Sequence, residues 1–196
     1  LDVGQPNVTT VHGSGAAPVT IVAPVGTSIT SAAAIPNPSP GDAPAGIAFP
    51  CGFLDFTVEG LEPGDSIEVD LIAQTAEPIT TYYKYGATPS EPAEHWYLFG
   101  YELGSGTGAV IDANVIRLYL TDGARGDEDL TANGVIHEPG APATVPAGAC
   151  FSLHLDPGWN LISLPCVPAD SRSVAVFADA PVAPGVWIPA RRSGEA

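Results

Sequence analysis

The chain has 196 residues, of which 22 are acidic and six basic, giving a formal net charge of −16. That length supports one large β domain, or one domain with an appendage, and is enough to bury a real core. A chain this negative repels a phosphate backbone or an anionic lipid surface, and polar residues break every apolar stretch short of the ~18 residues of a spanning helix, so nucleic-acid binding and membrane insertion are excluded as expectations.

The first residues, "LDVGQPNVTT", lack the basic and apolar regions of a signal peptide. With Met absent and Leu1 first, an exported, processed product is expected. The sequon starting at Asn7 is read as a chance match, with an early strand as the expectation there. Strand signals then follow one another: "PVTIVA", "GFLDFTVEG", "DSIEVDLIA", "TTYYKYG", "HWYLFGYE", "NVIRLYL" and "GVIHEP". Leu54, Phe56 and Val58 alternate with Phe53, Asp55 and Thr57, and Ile67, Val69 and Leu71 with Ser66, Glu68 and Asp70, so each run has one face to bury. The Pro-Gly turn in "LEPGD" predicts that these two runs form an antiparallel hairpin. No segment sustains a helical period, and the 22 Gly and 21 Pro punctuate the rest. The expected fold is all-β: an antiparallel sandwich of about seven to nine strands over residues 1–143, with a C-terminal hairpin and extended tail over residues 144–196.

The segment "TDGARGDEDLTANG" follows the "NVIRLYL" strand directly. A calcium site needs six to eight oxygens, often from Asp side chains spaced by Gly. Asp122, Asp127, Asp129 and Asn133 are the candidate Ca²⁺ ligands here, although no Glu closes the loop at the EF-hand position. The alternative is a turn in which Asp122 and Asp127 accept hydrogen bonds from nearby amides and Arg125 neutralises a neighbour. The Arg125-Gly126-Asp127 triplet is too short to mark an integrin ligand.

Seven aromatic residues fall between Tyr82 and Tyr101. Tyr82, Trp96 and Tyr97 are candidates for stacking on the sugar rings of a surface polysaccharide. Cross-strand packing inside a sandwich would produce the same clustering. No histidine accompanies a nucleophile motif, and "GSGTG" lacks the Lys of a phosphate loop. No catalytic residue is assigned.

Beyond residue 143, "CFSLHLDPGWNLISLPC" reads as a hairpin turning at Asp156-Pro157-Gly158. This places Cys150 opposite Cys166 and makes a disulfide between them the first choice. Pairing of Cys51 with either remains open. In the tail, Val174, Val176 and Phe177 lie in a strand-like run and are candidates for contacts with a second copy of the chain.

The long phrases "NPSPGDAPAGIAFPCGFLDFTVEGLEPGDSIEV", "TYYKYGATPSEPAEHWYLFGY" and "IDANVIRLYLTDGARGDEDLTANGVIHEPGAPA" occur in this order. They resemble the choice-of-anchor U domain of bacterial surface proteins over residues 5–143. The "LDPGWNLISLPCVPAD" that follows is similar to the opening of a second surface-protein module. The resemblance implies a secreted or cell-surface location and no catalytic activity. The expected function is a structural surface protein, a filament subunit joined to its copies by strand exchange, with carbohydrate binding or adhesion as the alternative.

Overall fold

The computed structural model describes residues 4–13 and 16–145. Ten strands occur among them: β1 (Val8–Val11), β2 (Val19–Val22), β3 (Ser28–Ile35), β4 (Phe53–Glu59), β5 (Ser66–Ala73), β6 (Thr81–Thr88), β7 (Glu91–Leu98), β8 (Gly108–Asp112), β9 (Val115–Thr121) and β10 (Val135–Ala143). They form two five-stranded sheets, β1-β2-β5-β9-β8 and β3-β4-β10-β6-β7, in which every ladder is antiparallel. The expected all-β sandwich is therefore present, with ten strands in place of seven to nine.

The period-two patterns account for the core. Val69 and Leu71 of β5 lie opposite Leu118 and Ile116 of β9, and all four are fully buried. Leu54, Phe56 and Val58 of β4 and Ile136 of β10 bury the facing stripe of the other sheet. Each such side chain taken from water contributes about 1.5–3 kcal/mol.

The hairpin expected between β4 and β5 does not form. β4 pairs with β3 and β10, whereas β5 pairs with β2 and β9. Alternation states only that each strand has one apolar face. Here the two apolar faces meet across the sandwich, and the Pro63-Gly64 turn carries the chain from one sheet to the other.

β10 places the acidic segment. It pairs with β4 over residues 135–140 and with β6 over residues 140–143, so much of its length lacks a strand on one side. Pro139 and Pro142, which have no N–H to give, are tolerated in such a half-paired strand. Beside the first half the acidic segment acts as the neighbour: the Glu128 amide donates to His137 O at 2.9 Å, and the His137 amide donates to Asp127 Oδ1 at 3.0 Å.

The expected C-terminal hairpin, the Cys150–Cys166 disulfide and the tail residues Val174, Val176 and Phe177 lie outside the described residues. Cys51 is buried and carries no disulfide among the described residues.

Candidate functional site

Asp122 follows β9 immediately and is 2% exposed. Its Oδ2 accepts the amides of Gly64 and Gly134, each at 2.8 Å, and its Oδ1 accepts the Asn133 amide at 3.2 Å. The carboxylate thus ties the β4–β5 crossing to both ends of the acidic segment. Burial alone would raise its pKa, but the amides of Gly64, Gly134 and Asn133 outweigh burial and hold it below the usual carboxylate value. Gly134 is needed at φ 84°, where a Cβ would lie 2.6 Å from Leu61 O.

Asp127 is 1% exposed, and its Oδ2 accepts the Gly123 amide at 2.8 Å while Oδ1 takes that of His137. Its pKa is raised. Burial is the main cause and the Asp129 and Asp122 charges add to it, with only partial offset from the two amides. Asp129 receives the Thr131 amide at 2.8 Å and the Asn133 Nδ2 at 2.7 Å, and Asn133 Oδ1 receives the Val135 amide at 2.9 Å.

The four proposed calcium ligands therefore do not fit a cation. Their side-chain oxygens face N–H groups, whose positive ends repel a metal, and no set of three or more His, Cys, Asp or Glu among the described residues is placed to hold one. The turn alternative accounts for the contacts, with the difference that Asp122 and Asp127 are buried. The Arg125-Gly126-Asp127 triplet is not displayed either. Besides the burial of Asp127, the Arg125 guanidinium lies 4.8 Å from the Phe99 ring centroid, donates to Leu98 O at 2.8 Å and pairs with Glu102 at 3.2 Å.

A buried polar cluster lies beneath this segment. Lys84 Nζ is 2.6 Å from Glu138 Oε1 and donates to Gly126 O at 2.7 Å, while Tyr82 OH donates to Glu138 Oε2 at 3.0 Å. Burial lowers the Lys84 pKa, partly offset by Glu138, Asp127 and Glu128. Burial followed by the Glu138 charge pushes Tyr82 well up. The sequence reading missed this cluster. Its signal was there: Lys84 shares the inward face of β6 with Tyr82, and Glu138 that of β10 with Ile136.

The proposed sugar-binding trio is not brought together. Tyr82 is 1% exposed inside the sandwich, where its ring lies 6.4 Å from that of Phe99; Tyr97 also packs on Phe99, at 6.3 Å. Trp96 points the other way, as neighbouring residues in a strand must. It meets Phe49 at 5.9 Å, Phe53 at 5.6 Å and Tyr85 at 5.3 Å, and its Nε1 donates to Ser39 O at 3.2 Å. The β3–β4 connection thus covers part of the outer face of this sheet.

Beside that aromatic group is a shallow groove of about 210 Å³, lined by Phe53, Tyr83, Tyr85 and Trp96 together with Asp55, Glu94 and Glu128. His137 links two of these carboxylates, with Nε2 at 2.7 Å from Asp55 Oδ1 and Nδ1 at 2.5 Å from Glu128 Oε2. A neutral imidazole has one N–H, so only the protonated ring donates to both. Comparison of the chain with family models, curated proteins and solved structures finds no match.

Proposed function

We propose that this chain is a non-enzymatic structural module of an exported, cell-surface protein, related to the choice-of-anchor U domains it resembles, and that it assembles with copies of itself by strand addition. The observation that carries this reading is the second half of β3, residues 31–35, which lies between the Ile29 amide, donated to Pro6 O at 2.7 Å, and Pro36. Exposed sheet edges are normally blunted, because free N–H and C=O groups template pairing with another chain. Three of the four edges here are treated in that way. β1 is four residues long and follows Pro6, β7 carries Glu91, Pro92 and Glu94, and β8 is covered where the Ala109 amide donates to Phe99 O at 2.7 Å.

β3 differs. After a bulge near Ser31, residues 31–35 run as Ser-Ala-Ala-Ala-Ile with no charge or proline, and among the described residues their backbone hydrogen bonds go only to β4. Small side chains let an added strand approach closely. Added strands gain affinity from main-chain hydrogen bonds, and head-to-tail contacts that do not close produce filaments. A non-enzymatic role is supported by an acidic segment whose buried carboxylates accept backbone amides. Deleting residues 172–196 and following assembly by light scattering tests whether the tail supplies the added strand.

A further inference from the structure

We propose that the groove on the outer face of the β3-β4-β10-β6-β7 sheet binds an arginine side chain presented by a partner peptide. Three carboxylates reach it from separate elements: Asp55 from β4, Glu94 from β7 and Glu128 from the acidic segment. The His137 ring lies between Asp55 and Glu128, against one oxygen of each, and Asp55 Oδ2 and Glu128 Oε1 have no protein partner among the described residues. Glu94 makes no side-chain hydrogen bond there and is exposed.

No lysine or arginine among the described residues lines the groove. Lys84 is buried under Glu138, Arg117 pairs with Glu68 and Asp70, and Arg125 packs on Phe99. Even with His137 protonated, three carboxylates leave the site negative. The aromatic wall adds the second half of the recognition. A guanidinium is planar and weakly hydrated, so it stacks on aromatic faces while giving paired N–H groups to carboxylates. At about 210 Å³ the groove is below the ~300–1,000 Å³ of sites for drug-sized ligands, which matches one side chain.

The test titrates the full chain with the peptide acetyl-Gly-Arg-Gly-amide and with its citrulline analogue, which keeps the shape and removes the charge. Calorimetry and amide NMR provide the readouts. The expected result is saturable binding of the arginine peptide, shifts centred on Phe53, Tyr83, Tyr85 and the Trp96 indole, and at least about tenfold weaker binding of the citrulline peptide. Glu94→Gln should weaken binding about fivefold, whereas Glu62→Gln, which removes the same charge from an exposed turn outside the groove, should leave it unchanged. Equal binding of the two peptides, shifts centred elsewhere, no response to the arginine peptide, or a response to neutral oligosaccharide alone would each overturn the proposal.

Discussion

Lys84 and Glu138 form an ion pair inside the sandwich, at 2.6 Å and with side-chain exposures of 2% and 0%. Removing one partner strands a buried charge, a loss of about 3–5 kcal/mol, whereas replacing both costs less than the sum. Glu138→Gln and Lys84→Met should each be strongly destabilising, and the double variant should be closer to wild type than the added single losses. Urea unfolding of the four proteins measures this, and strict additivity would show that the pair is not coupled.

Asp122 and Asp127 predict opposite responses to acid. The folded-state pKa of Asp122 is lowered, so its stabilisation is complete above the unfolded carboxylate value of about 3.9 and is lost as pH falls through the folded value. That of Asp127 is raised, so its charge costs stability above the folded value and the cost is relieved as pH falls towards the unfolded one. Asp122→Asn should lose about 1–3 kcal/mol at neutral pH and show a flatter acid limb. Asp127→Asn should instead steepen it. Urea midpoints between neutral and acidic pH distinguish the two.

The melting temperature should not change when EDTA is added, because the acidic segment directs amides at its carboxylates. Calorimetric scans with EDTA and with added calcium provide the check. A calcium-dependent rise would show that the carboxylates can turn outwards.

Cys51 is 1% exposed, and burial, with the Glu77 charge, pushes its thiol up to about 11. The thiolate is the reactive form, so at neutral pH this cysteine should resist alkylation until the chain unfolds. Peptide mapping after iodoacetamide treatment, with and without denaturant, follows it separately from Cys150 and Cys166. Labelling of Cys51 in the native protein would contradict the burial.

Much of the fold was legible because period-two alternation states burial directly, as in β4, β5 and β9. β3 was not, since an Ala-rich run has weak strand propensity and gains its order from pairing with β4. The β4–β5 crossing was misread because a Pro-Gly turn serves a hairpin and a change of sheet equally well. Trp96 and Tyr97 could have been separated from adjacency alone. The acidic segment could not be decided from spacing, because what its oxygens face depends on Gly64, 58 residues from Asp122, and on His137, ten residues from Asp127.

The most direct measurement of the central claim is analytical ultracentrifugation of the full chain against Ser31→Lys, a charge placed on the exposed edge of β3. The account predicts concentration-dependent oligomers of wild type and their loss in the variant, with an unchanged far-ultraviolet spectrum. A wild-type chain that stays monomeric at every concentration, or a variant that assembles as wild type does, would contradict it.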